Sequence, residues 1–154
     1  MSFSRTLCNS SEFARLDAVA DPESAATIRR EFSDWLHQHF TLGATKACDV
    51  VLAVNEAMAN AAEYAYLTAE QPGVMQVQAL YDGSAATLTV TVTDQGAWQS
   101  TGAASSELKR GRGIPLMNAL ADRATVESSQ DGTRVCLEWH QVNAARQDCG
   151  SRTT

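Results

Sequence analysis

Apolar positions along the chain recur with two different periods, which separate its helices from its strands. Between positions 22 and 43, and again between 45 and 67, apolar side chains recur every three or four residues, the spacing of one helix face. Over 74–81 and 85–93 they alternate with polar side chains, as in half-buried strands. The pattern therefore predicts two long helices followed by two strands that are joined by a turn at 82–84.

Cap and turn residues fix the other predicted boundaries. Asp21-Pro22-Glu23 is typical of a helix start, with Asp21 as the cap, proline at the first helical position and a carboxylate near the positive end of the helix dipole. Gly43 ends that helix. The remaining predicted elements are a first strand at 12–19, a short helix at 114–121 and a closing hairpin of 124–129 and 133–141.

The order of these elements indicates the fold class. Strand, helix, helix, strand, strand, loop, helix, strand, strand lacks the strict alternation of a parallel α/β sheet. It predicts an α+β two-layer sandwich, in which helices cover one face of a mainly antiparallel mixed sheet. We expect one domain over residues 12–141, with polar, flexible tails at 1–11 and 142–154.

Composition and charge narrow the class of protein. The 154 residues are 44% hydrophobic, which is ordinary for a globular domain. Acidic residues outnumber basic ones 18 to 12, giving a formal charge of −6, which weighs against direct nucleic-acid binding. No apolar run approaches the ~18 residues of a membrane span, and no signal segment opens the chain, so we expect a cytoplasmic protein without membrane contacts. The four cysteines lack the C-x-x-C spacing of a zinc site.

The second long helix carries the first candidate chemistry. Glu56 and Asn60 are four residues apart and therefore lie on one helix face. A carboxylate and an amide oxygen in this arrangement can ligate Mg²⁺ and accept a proton. The same pair is also typical of an ordinary solvated helix face.

A second candidate lies where an apolar strand gives way to a long loop. The carboxylate of Asp94 can accept a hydrogen bond from an amino group, such as the exocyclic amine of adenine. Gly96 has no side chain, so a flat ring can approach the backbone there. The alternative interpretation is a simple turn, since aspartate and glycine are common at strand ends.

A third candidate directly precedes the short predicted helix. Gly111 and Gly113 bracket Arg112, and Lys109 and Arg110 come just before them. Backbone N–H groups in such a loop, together with the helix dipole and these cations, can form a cradle for an anion. Neither common phosphate-loop pattern is present, and a glycine-rich hinge is the alternative interpretation.

Taken together and in this order, the three segments resemble one family. The stretch VVLAVNEAMANAAEYAY (Val50–Tyr66) looks like the N-box of the GHKL-type ATPases. DQGAW (Asp94–Trp98) is similar to their first glycine box, and GRGIPLMNALAD (Gly111–Asp122) resembles their second. The compact size, and the short lid formed by the loop between the two glycine boxes, resemble the anti-sigma-factor serine/threonine kinases within that family. The resemblance covers residues 12–141 and departs at Tyr64, where the family often has a histidine.

The resemblance implies a role for each matching residue. Glu56 would be the general base or would orient the nucleophile, and Asn60 would bind Mg²⁺. Asp94 would hold the adenine amine, Gly96 would let the base sit close, and Thr133 would support the adenine pocket with Asp94. The residues implied for the phosphates of ATP are Lys109, Gly111, Arg112 and Gly113.

The resemblance also implies a function in the regulation of transcription under stress. The chain would be a homodimeric, ATP- and Mg²⁺-dependent anti-sigma factor, which sequesters a sigma factor and phosphorylates a serine of an anti-anti-sigma protein. Two alternatives stay open: a non-catalytic module that uses ATP only to select partners, and a simple ATPase. Glu56 favours the kinase, because a pure binding module would not need that carboxylate.

Overall fold

The computed structural model describes residues 11–68, 73–94, 115–129 and 132–145, and these form the α+β two-layer sandwich that the sequence predicts. The strands are β1 Glu12–Val19, β2 Phe40–Thr41, β3 Val74–Asp82, β4 Thr87–Asp94, β5 Arg123–Ser129, β6 Gly132–Trp139 and β7 Asn143–Ala144. The helices are α1 Pro22–His39, α2 Ala44–Thr68 and α3, residues 115–120. The main sheet has the order β1-β3-β4-β6-β5, and each neighbouring pair is antiparallel.

Helix α1 begins as predicted. The side chain of Asp21 accepts a hydrogen bond from the Ser24 backbone N–H at 2.7 Å, which satisfies one of the free donors at the helix start. The buried face of α1 then packs on the first strand. The ring of Phe13 on β1 lies 5.5 Å from that of Phe32 and 5.7 Å from that of Trp35, measured between centroids. This aromatic cluster fixes α1 on the sheet.

Helix α2 packs over β4, β6 and β3. Its sheet-facing row includes Ala53, Ala57 and Ala61, which are spaced four residues apart and at most 2% exposed. Side chains this small let the helix backbone come close to the sheet. On β4 the buried positions alternate with half-buried threonines, so the helix-facing side of the strand is apolar up to its last residue.

The end of α1 differs from the prediction. The periodicity of α1 continues to Phe40, but the helix ends at His39 and Phe40 begins β2, which pairs with β7. The Phe40 ring is 4% exposed and meets the ring of Tyr81 edge-on at a centroid distance of 4.8 Å. Burial of this ring against Tyr81 accounts for the early change from helix to strand.

The ordered fold also reaches beyond position 141, where the sequence places the end of the domain. Val142 is fully buried, and its carbonyl oxygen accepts a hydrogen bond from the Tyr81 hydroxyl at 2.6 Å. Residues Asn143–Ala144 form β7, and the Ala145 N–H donates to the His39 carbonyl oxygen at 2.8 Å. Residues 142–145 therefore close the fold rather than belong to a flexible tail.

Helix α3 is attached to the sheet at its C-terminal end. The indole Nε1–H of Trp139 donates to the Leu120 carbonyl oxygen at 2.9 Å, and Asp122 Oδ2 accepts from the His140 N–H at 2.7 Å. Met117 in the middle of the helix is fully buried. No helix among the described residues is both long and apolar enough to cross a membrane.

The closing contact of Tyr81 can be tested directly. Tyr81→Phe removes the donor to the buried Val142 carbonyl, so we expect the free energy of unfolding to fall by about 1 kcal/mol. Urea denaturation at pH 7 measures this change, and equal stabilities would contradict the assigned hydrogen bond.

A pH series provides a second readout of the same contact. Burial raises the pKa of Tyr81, so the fold favours the neutral phenol. The stability that depends on the neutral phenol is fully present below the ordinary tyrosine pKa of about 10, and it is lost as the pH rises through the raised pKa. The advantage of the wild type over Tyr81→Phe should therefore shrink at alkaline pH.

Candidate functional site

Two polar residues lie side by side at one end of the main sheet. Asp94 is the last residue of β4, and Thr133 is its direct cross-strand partner on β6. Both are 7% exposed, and both follow the alternation that places buried side chains toward the helices. Direct partners in an antiparallel pair have Cβ atoms about 4.5–5.5 Å apart. A carboxylate and a hydroxyl are thus neighbours on the helix-covered face.

The Asp94–Thr133 pair is polar, whereas the other buried side chains on this face of the sheet are apolar. Asp94 and Thr133 are the two polar residues that are buried within the described ranges, and apolar side chains precede them on β4 and follow them on β6. Thr133 Oγ1 is buried and has no hydrogen-bond partner among the described residues. A buried hydroxyl without a partner costs about 1–3 kcal/mol. Such a cost at the end of a sheet is typical of a site where a ligand supplies the missing partner.

Met75 completes the row of side chains and was not singled out from the sequence. It is the cross-strand partner of Asp94 on the β3 side, and it is fully buried. Its thioether gives the polar pair an apolar and adaptable neighbour. The strand alternation alone places Met75 on the buried face, but its position beside Asp94 depends on the register between β3 and β4.

The second polar pair, Glu56 and Asn60, lies on α2. Both residues are half-buried, and each is followed in the chain by an alanine that faces the sheet, Ala57 and Ala61. Glu56 and Asn60 therefore border the buried face of the helix. Because α2 packs over β4 and β6, the helix that carries this pair covers the two strands that carry Asp94 and Thr133.

The remaining site residues predicted from the sequence lie outside the described residues. They are Gly96, Lys109, Gly111, Arg112 and Gly113. The described part of helix α3 begins at residue 115, two positions after Gly113. The structure thus places Glu56, Asn60, Asp94 and Thr133. For the predicted phosphate loop at 109–113, it describes only the helix that follows the loop.

Comparisons with known proteins agree with this arrangement. A family model described as a histidine kinase-like ATPase domain matches residues 18–139. The chain is also similar to a solved structure of the RsbU and RsbW domains of Rv1364c from Mycobacterium tuberculosis, with a TM-score of 0.65 and 25% sequence identity. That likeness covers 88% of this chain and 34% of the other, so this chain spans about a third of the length of the one it resembles. The chain belongs to the histidine kinase-like, or GHKL-type, ATPase family of ATP-binding domains, and within it resembles the anti-sigma-factor kinases.

Proposed function

We propose that this chain is an ATP- and Mg²⁺-dependent anti-sigma factor and serine/threonine protein kinase. It would sequester a sigma factor and phosphorylate a serine of an anti-anti-sigma protein, acting as a cytoplasmic homodimer without direct contact to nucleic acid or membrane. The observation that carries the proposal is the buried Asp94–Thr133 pair with its unpartnered hydroxyl, in a chain of an ATP-binding family. The likeness to a structure that contains an RsbW domain supports the same assignment.

The chemistry of the pair fits an adenine ring. An ionised carboxylate only accepts hydrogen bonds, so Asp94 would accept one from the exocyclic amine. The Thr133 hydroxyl can donate to a ring nitrogen, which would satisfy the atom that has no partner among the described residues. Met75 would contribute apolar contact beside these polar groups.

The residues that would hold the metal and the phosphates come from two segments. The amide oxygen of Asn60 on α2 would ligate Mg²⁺, a cation that prefers oxygen ligands. Gly111, Arg112 and Gly113 would surround the phosphates, with Lys109 adding positive charge. When bound, Mg-ATP supplies the phosphoryl group that is transferred. The hydrogen bond from Trp139 fixes the C-terminal end of α3, the helix that follows this loop in the chain.

Glu56 would act on the acceptor serine. It lies one helical turn before Asn60, so its carboxylate would be near the metal-bound phosphates. There it would accept or orient the proton that the seryl hydroxyl loses during transfer. A non-catalytic, ATP-gated binding module and a simple ATPase remain the two alternatives, and the last of the following experiments separates them.

Thr133→Val tests the unpartnered hydroxyl. Because valine has the same shape without the polar atom, we expect the ligand-free protein to be as stable as the wild type or more stable, by up to about 1 kcal/mol. ATP affinity should fall about fivefold, the equivalent of one lost hydrogen bond. Urea denaturation and calorimetry measure the two effects. Thr91→Val, on the opposite face of β4, is the matched control and should leave ATP affinity unchanged. A Thr133→Val protein that is less stable than the wild type would contradict the proposal, because the hydroxyl would then stabilise the fold itself.

Asp94→Asn tests the carboxylate. The amide accepts a hydrogen bond less strongly, and its NH₂ group can face the adenine amine, so we expect ATP affinity to drop at least tenfold, or about 1.4 kcal/mol. Circular dichroism should show an unchanged fold. Asp34→Asn, an exposed carboxylate on α1, serves as the control with wild-type affinity. If Asp94→Asn bound ATP as tightly as the wild type, Asp94 would not contact the nucleotide.

Glu56→Gln separates the kinase from the alternatives. We expect this variant to keep ATP affinity and partner binding but to lose phosphoryl transfer by roughly 10²-fold or more, the scale of a removed general base. The assay combines labelled ATP with candidate anti-anti-sigma proteins, and mass spectrometry locates the acceptor. Undiminished transfer would remove Glu56 from the mechanism. A wild type that binds its partner without phosphorylating it would favour the binding module, and ATP hydrolysis that needs no protein acceptor would favour the simple ATPase.

A further inference from the structure

A groove of about 470 Å³ lies between α1 and α2. Its α1 wall is formed by Arg29, Ser33 and His37, which are spaced four residues apart and so form one ridge of the helix. The residues of α1 that enter the core occupy other positions, including Ile28, Phe32, Trp35 and Leu36. The groove is therefore on the side of the helical layer away from the sheet, and none of the described residues that line it belongs to the proposed nucleotide site.

The α1 wall is cationic and polar. Arg29 is exposed and makes no ion pair or hydrogen bond with any described residue. The His37 Nδ1 lies 2.8 Å from the Ser33 carbonyl oxygen and donates to it, which leaves Nε2 available for another partner. No carboxylate is among the described residues that line the groove. The chain has a net charge of −6, whereas the α1 wall of the groove is locally positive.

The α2 wall is apolar. It includes Ala47, Val51 and Leu52, and Leu52 is a large hydrophobic residue that is 39% exposed. The alanine keeps the groove open, while the valine and leucine offer apolar contact area. His37 lies eight positions after Arg29, so the α1 ridge is about 12 Å long, or slightly more than two helical turns.

We propose that this groove docks an amphipathic helix of a partner protein that carries a carboxylate beside its apolar face. Apolar side chains of that helix would pack against Val51 and Leu52, and its carboxylate would pair with Arg29. A helix in a hydrophobic groove is a common mode of peptide recognition. Because Arg29 has no ion-pair partner among the described residues, charge complementarity favours a partner that brings a carboxylate. The groove is separate from the nucleotide site, so this inference does not depend on ATP binding.

Two synthetic helical peptides of about 15 residues test the proposal. Both have leucines at positions i, i+4 and i+7, and they differ at one flanking position, which is glutamate in one and lysine in the other. Fluorescence anisotropy with the full chain measures their affinities. We expect the glutamate peptide to bind at least tenfold more tightly than the lysine peptide, and Arg29→Glu should reverse that preference.

Matched variants assign the effect to the groove. Arg30→Glu changes the neighbouring arginine, which does not line the groove, and should leave the preference intact. Leu52→Asp should reduce binding of the glutamate peptide at least tenfold, whereas Leu80→Asp, at an exposed leucine on β3, should not. Unchanged Mg-ATP binding by Leu52→Asp shows that the variant is folded; should it fail to fold, the Arg29→Glu and Arg30→Glu pair carries the test alone.

Three results would overturn the proposal. The first is that neither peptide binds, or that both bind equally and insensitively to Arg29→Glu. The second is that Leu52→Asp, but not Leu80→Asp, dissociates a homodimer in sedimentation equilibrium, because a second copy of the chain would then occupy the groove. The third is that the peptide binds only after residues 146–154 are removed. That segment follows Ala145, which is hydrogen-bonded to the α1 C-terminus, so the chain itself would be the occupant.

Discussion

The pairing of β4 with β6 determines where the two buried polar side chains of the sheet lie. Its register places Asp94 opposite Thr133, and the same register places Val90 opposite Leu137 and Val92 opposite Val135 on the buried face. A shift by one residue would turn those apolar side chains toward the open face of the sheet. Burial of the apolar rows therefore enforces the neighbouring position of the two polar groups. The Thr133 hydroxyl, which has no partner among the described residues, is held in this position by the burial of its apolar neighbours.

The helical layer adds the second half of the site. Alanines at four-residue spacing allow α2 to lie close to β4 and β6, and Glu56 and Asn60 border that close contact. The aromatic cluster around Trp35 holds α1 on β1, and the hydrogen bond from Trp139 holds α3. In the proposed site, the sheet would supply the groups that contact adenine, and α2 would supply those that contact Mg²⁺ and the acceptor serine. The groove between α1 and α2 leaves a separate surface for a protein partner.

Local signals in the sequence were sufficient for the long elements. The periodicity of α2, the Asp21 cap of α1 and the alternation in β4 each depend on neighbouring residues, and the structure confirms all three. The strands β2 and β7 have two residues each and carry no periodic signal. They form because Phe40 packs on Tyr81 and because Tyr81 bonds to Val142, contacts between residues far apart in the chain.

Met75 was missed for a related reason, since its place beside Asp94 follows from strand register. The pairing of Asp94 with Thr133 was expected from the family resemblance rather than from spacing.

Recognition of the adenine amine by the Asp94 carboxylate is the central contact of the proposed site. Calorimetric titration of the wild-type chain with Mg-ATP and with Mg-inosine triphosphate tests this recognition, because inosine carries a carbonyl oxygen and a protonated N1 where adenosine carries the amino group and an unprotonated N1. We expect at least tenfold tighter binding of ATP, since a carboxylate facing a carbonyl oxygen forms no hydrogen bond and is repelled by it. Equal affinities for the two nucleotides would contradict the assignment of the adenine pocket to the end of β4.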